Sequence, residues 1–113
     1  MVNEKQIQRI ISELCSGLAA VFPQEKVEAI LFGSCARGEQ EDGSDIDVLL
    51  LIDAPREVIS RKSWQVGNVA ADLLLDPGVL VSPIVETRAY FNANAATLPF
   101  YRTIRREGVR FSA

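Results

Sequence analysis

The chain has 113 residues and no histidine. That removes the side chain most used as a general base near neutral pH, every catalytic triad that needs one, and a common zinc ligand. Cysteine is almost as scarce: only Cys15 and Cys35 are present. Two cysteines make no disulfide framework, and both read as free thiols, Cys15 on a helix's apolar face and Cys35 inside a glycine-flanked motif. No apolar run approaches the roughly 20 residues a membrane-spanning helix needs. The opening Met1-Val2-Asn3-Glu4-Lys5 lacks the basic-then-apolar layout of a secretory signal, so a cytoplasmic location is expected. Excess positive charge is also missing: the net charge is −3, which argues against tight nonspecific nucleic-acid binding.

What is present fits one small domain over residues 1–113, with enough chain for a single core. Residues 1–86 carry 7 basic and 14 acidic groups, whereas 87–113 carry 5 arginines and one glutamate. An acidic body with an arginine-rich tail offers phosphates or an acidic partner a landing surface, or is only a solvated helix face. Asn3 suits a helix N-cap, and Ile7, Ile10, Ile11, Leu14, Leu18 and Val21 recur at helical spacing until Pro23. Val27 to Phe32 reads as a mostly buried strand. Ser34 to Arg37 reads as a short helix closed by Gly38, and polar residues 39–44 form a hairpin-like loop with Asp42-Gly43 as its turn. Residues 45–52 are a second strand, whose Val48-Leu49-Leu50-Leu51-Ile52 end is apolar on both faces and hence central.

A long helix is predicted over about residues 56–75, ended by Asp76-Pro77-Gly78. A third strand follows over 79–85, with Pro83 marking an edge or a bulge. A short helix after Thr87 and a last one from Thr97 or Leu98 to Glu107 close the pattern, with Pro99 in the first turn and Gly108 as C-cap. Residues 109–111 can add a terminal strand. The fold class is therefore α/β in the α+β sense, a small mixed sheet with helices packed on it. Trp64, Phe91, Phe100 and Tyr101 can stack on a base, but aromatics on helical stripes are expected in the core.

The chemistry concentrates in Gly33-Ser34-Cys35-Ala36-Arg37-Gly38 and the following Asp45-Ile46-Asp47. Glycine lets the backbone come close to a phosphate, and a helix opening on that turn aims its free N–H groups at the anion. The Ser34 hydroxyl adds a donor, and Arg37 either complements a triphosphate or pairs with a nearby acid. Cys35, at such a helix start, is expected to have a lowered thiol pKa. Carboxylates at i and i+2 of a strand share a face and repel unless a cation lies between them. Magnesium, held by one or two carboxylates plus substrate phosphates, suits that pair. Asp42 to Asp47 does not make a calcium loop, because the glycine is misplaced and the distal glutamate ligand is missing.

This ordered string, from Gly33-Ser34 through Ser44-Asp45-Ile46-Asp47, resembles the minimal nucleotidyltransferases of the DNA polymerase β superfamily. The likeness extends over nearly the whole chain, including the ending Tyr101-Arg102-Thr103-Ile104-Arg105-Arg106-Glu107-Gly108-Val109. It implies transfer of a nucleoside monophosphate from a nucleoside triphosphate, ATP first, to an acceptor hydroxyl with two magnesium ions. By the same likeness Gly33 and Ser34 bind phosphate, while Asp45 and Asp47 bind metal and are catalytic. The family's third carboxylate, on the next strand, has no match in Val81-Ser82-Pro83-Ile84-Val85-Glu86. Glu86 either reaches the site as a metal ligand or is a solvated strand-end residue. Short chains of this family often work with a separate helical protein, some as antitoxins that adenylylate a HEPN-type toxin. A helical partner or a homodimer is therefore expected. The competing expectation is a degenerate member that keeps the fold and acts as a partner-binding module.

Overall fold

Apolar residues at helical spacing build the first element, α1 (Glu4–Val21), whose Ile7, Ile10, Ile11, Leu14, Cys15 and Leu18 are buried. The computed structural model describes residues 4–38, 45–73 and 80–112; the Asn3 cap, the 39–44 loop and the Asp76-Pro77-Gly78 stop lie outside them. Pro23 follows the helix end as expected. Strand β1 (Val27–Phe32) leads to β2 (Ile46–Ile52), then helices α2 (Arg56–Arg61) and α3 (Ser63–Leu73), strand β3 (Val81–Thr87), helices α4 (Arg88–Asn94) and α5 (Pro99–Glu107), and strand β4 (Val109–Ser112). The sheet order is β3-β2-β1-β4. β1 runs antiparallel to β2 and β4, whereas β2 and β3 are parallel across the α2–α3 connection. The mixed sheet with helices on it is the architecture the sequence implies.

Alternation along the strands sorts side chains onto two faces. One carries Val27, Ala29, Leu31, Ile46, Val48, Leu50 and Ile52, which form the larger core with α1, Val66 of α3 and Val81. The other carries Ile30, Leu49 and Leu51, which form a smaller core with Phe91, Ala95 and Ile104 from the α4–α5 segment. Val48 to Ile52 are all fully buried, so the run that is apolar on both faces is indeed central. α3 lies close against α1 because Gly17 has no side chain: a Cβ there would sit 2.6 Å from Val69 Cγ1.

Four sequence expectations are corrected. The long helix of 56–75 is two, broken at Lys62, whose backbone leaves the helical region at φ −103°, ψ 11°. Lys62 donates from Nζ to the Val21 carbonyl at 2.7 Å and lies over the Phe22 ring, so a tertiary bond to the end of α1 accounts for a break that no proline or glycine announces. Residues 34–38 form successive turns and no helix. The third strand is shifted to 81–87, which puts Glu86 inside it. Trp64 and Phe100 are not core residues: they are 66% and 50% exposed, while Phe91 is fully buried.

Pro83 does lie on an edge strand. Ile46 N donates to Leu80 O, and continuing that parallel ladder turns the backbone groups of Val81, Pro83 and Val85 to the open side. The missing N–H therefore weakens no internal bond and interrupts the free edge against strand addition. Among the described residues no helix is long and apolar enough to cross a membrane.

Candidate functional site

The site begins where β1 leaves the sheet. Gly33 has φ +76°, a left-handed conformation open to glycine at little steric cost. Its carbonyl accepts from the Ala36 and Arg37 amides at 3.1 and 3.2 Å, and Gly38 N closes the next turn on Cys35 O. Gly38 is also left-handed, at φ +72°. The Ser34 and Cys35 amides, passed over by this bonding, have no backbone partner among the described residues. Two such amides at the start of a tight turn make an arrangement suited to an anion, and here it exists without a helix behind it.

Glycine at position 33 has a second reason. A Cβ there would fall 2.6 Å from Asp47 Oδ2, so the turn and the carboxylate are packed against each other. Register fixes the rest of the row: Phe32 faces Asp47 across β1–β2, and Asp47 faces Ser82 across β2–β3. Asp45, just before β2, is tied in by Ser82, whose Oγ donates to Asp45 Oδ2 at 3.2 Å. Cys35 Sγ donates to the Asp45 carbonyl at 3.4 Å and fastens the turn to the same point. Phe32, Asp47, Ser82 and Asp45 thus meet at one end of the smaller-core face.

Electrostatics mark the pair. Burial, and then the Asp45 charge, hold the Asp47 carboxyl above its ordinary range. Among the described residues no lysine or arginine is paired with either aspartate. Hard oxygen donors left without a counter-charge fit a magnesium ion, which takes one or two carboxylates and completes its shell with phosphate oxygens and water. No group of three or more Asp, Glu, Cys or His side chains converges among the described residues, which offer two carboxylates and the Ser82 hydroxyl here. The expectation for Cys35 is reversed: burial first, then the Asp47 charge, push its thiol up. A hydrogen bond with Ser34 pulls the other way but is outweighed, and with no helix at residue 34 no helix dipole adds to it.

The remaining sequence candidates lie elsewhere. Arg37 is exposed and pairs loosely with Glu107 at 3.9 Å, the nearby-acid alternative. Glu86 shares the face of Asp47 but stands four residues beyond Ser82 along β3, about 13 Å away. Its carboxylate accepts from Arg56, Tyr101 Oη and the Thr87 amide at 3.2, 2.9 and 2.9 Å. That network holds it away from the Asp pair, and it also accounts for the Tyr101 hydroxyl, raised to about 12 by burial and then by its bond to Glu86. Sequence reasoning passed over Phe32 and weighed Phe100 as a base-stacking ring but expected it in the core; the two rings meet edge to face at 5.6 Å. The only signal for Phe32 was its place just before Gly33.

Comparison with known proteins bears on the family of the chain. Residues 7–102 match the family model described as "Nucleotidyltransferase domain". Two proteins of Methanocaldococcus jannaschii, each bearing the name "Putative protein adenylyltransferase", are similar to the chain. One is 31% identical over 101 residues, covering 89% of this chain and 93% of the relative. The other is 33% identical over 81 residues, covering 71% and 79%. A "Bifunctional uridylyltransferase/uridylyl-removing enzyme" of Psychrobacter arcticus is 35% identical over 82 residues, 68% of this chain but 9% of that much longer protein. No solved structure matches the chain.

Proposed function

The chain belongs to the nucleotidyltransferase domain family, and on that premise we propose that it transfers AMP from magnesium-ATP to a hydroxyl on a protein partner in the cytoplasm. The observation that carries this reading is the packing of Asp47 against Gly33 at the head of the row it shares with Ser82. It joins an anion-seeking turn to a carboxylate pair that has no paired cation among the described residues. The name borne by the two archaeal relatives supports a protein as the acceptor. A helical partner of the HEPN type, with this chain as the antitoxin-like half, is the arrangement we favour.

In this reading the Ser34 and Cys35 amides and the Ser34 hydroxyl hold phosphate oxygens, and Asp45 and Asp47 carry the magnesium. The ion, when bound, offsets the charge that develops on the transferring phosphoryl group. The acceptor oxygen attacks the α-phosphorus, the α–β phosphoanhydride bond breaks, and pyrophosphate leaves. The hydroxyl proton passes to solvent, because Ser82 stands where the family's third carboxylate would take part. Ser82 instead orients Asp45. With two carboxylates at the site among the described residues, a second ion draws on the nucleotide's own phosphates.

The test is a thermal shift with magnesium-ATP on the parent and on Asp45→Asn/Asp47→Asn, followed by label transfer to a candidate partner. Stabilisation that requires both magnesium and the aspartates is expected, growing by about 1.4 kcal/mol per tenfold rise in ligand once saturation is passed. A parent that gains nothing from magnesium-ATP overturns the reading. Ser82 in the third position and Glu86 in its own network favour a second reading, a partner-binding module with weakened chemistry. That module predicts nucleotide binding and partner capture without transfer.

A further inference from the structure

We infer that Phe100, braced by Phe32, is the platform on which the nucleobase of the bound nucleotide stacks; this rests on the nucleotidyl-transfer reading above. Phe32 is the last residue of β1, directly before Gly33 and opposite Asp47. Phe100 meets it edge to face, with centroids 5.6 Å apart and planes at 87°. Its other aromatic neighbour, Tyr101, is 5.9 Å away with planes inclined at 39°. The ring is thus held between two others, yet 50% of the residue is exposed.

A single exposed aromatic on a helix usually means nothing. Three features set Phe100 apart. It is on the face that carries Asp47, since Phe32 and Asp47 are register partners. It sits on the side to which the phosphate-seeking turn departs, because Arg37 of that turn pairs with Glu107 of the same helix α5. And the opposite flank of the row, at Ser82, belongs to the edge strand β3, which leaves that side for the acceptor. A nucleotide with its phosphates on the turn and its metal on the aspartates then runs its base toward α5. Stacking on a phenyl face tolerates every base, so Phe100 contributes affinity and placement more than base choice.

The experiment is calorimetric titration of the whole chain with magnesium-ATP and, separately, with magnesium-tripolyphosphate, for the parent, Phe100→Ala, Phe100→Leu and Phe100→Trp. Loss of one stacked base should weaken ATP by about tenfold in the Ala and Leu variants, with tripolyphosphate changed by less than about twofold and Trp near the parent. Leu keeps apolar bulk without a π-face, so a loss in Leu cannot come from lost packing. Equal ATP affinity in parent and Leu variant overturns the inference and assigns Phe100 to a protein-facing surface. A parent that binds tripolyphosphate but gains nothing from the base also overturns it, while leaving the transfer reading standing. A parent that binds neither ligand overturns both.

Discussion

Glu28 and Asp47 lie on the same face of the same sheet, and their surroundings are opposite. Glu28 is buried, and its Oε1 accepts from Arg88 and Arg110, both at 2.9 Å. Arg88 also donates to Asp53, and Glu86 nearby is taken up by Arg56, Tyr101 and the Thr87 amide. At the other end, Asp45 and Asp47 have each other, Ser82 and a glycine turn, with no paired cation among the described residues. Carboxylates buried for structure are matched within the chain, because an unmatched one costs several kcal/mol. Carboxylates kept for a ligand are left for the ligand to match. The difference separates framework from site without appeal to any motif.

Breaking the matched end should have the largest effect. Glu28→Ala takes this partner from Arg110 and leaves Arg88 with Asp53; the two arginine side chains are 49% and 22% exposed. Because solvent reaches both in part, the loss belongs at the low end for a broken buried pair, about 2–3 kcal/mol. For a domain of this size that lowers Tm by roughly 10 °C or more, with magnesium-ATP still adding its usual increment. A variant as stable as the parent would mean that the arginine cluster is incidental.

Overloading the open end should have a smaller effect of a different kind. Ser82→Asp sets a third carboxylate beside Asp45, where Ser82 Oγ now stands 3.2 Å from Oδ2. Without magnesium the added repulsion should cost about 1 kcal/mol. With magnesium the variant should recover and bind the ion more tightly than the parent, seen by titrating Tm against magnesium concentration. If magnesium gives both chains the same increment, Ser82 does not occupy the position of a ligand.

This contrast was only half legible in the sequence. The open end is local: Gly33-Ser34 and Asp45-x-Asp47 fall within fifteen residues, and strand alternation alone puts both aspartates on one face. The central strand announced itself through Val48 to Ile52. The matched end is not local. Glu28 meets partners 60 and 82 positions away, and nothing in Val27-Glu28-Ala29 names them. The break at Lys62 likewise depends on the Val21 carbonyl, 41 residues earlier. Residues 34–38 misled because Gly-Ser followed by small residues suits a turn as well as a helix start. Phe100 misled because apolar spacing cannot tell an aromatic that covers a core from one left beside a site.

The smallest expected effect separates the two ends most sharply, because its sign is unusual. Asp47 is held above the ordinary carboxylate range by burial and by Asp45, so the native chain binds this proton more tightly than the unfolded chain does. The stability that follows is fully present below about pH 4, the unfolded value, and is lost as pH rises through the higher native value. At pH 7 the ionised group is therefore a burden on the native state. Asp47→Asn, of nearly the same shape and without charge, should raise stability at pH 7 by a few tenths of a kcal/mol, after allowance for solvent screening. The gain should shrink as both chains are acidified through the native value, and saturating magnesium-ATP should reverse the order, since only the parent keeps the ligand's contribution. A buried carboxylate matched within the chain, such as Glu28, cannot behave this way, because neutralising it removes attraction. If Asp47→Asn instead lowers Tm at pH 7 without magnesium, Asp47 belongs with the framework and the open end is not a site.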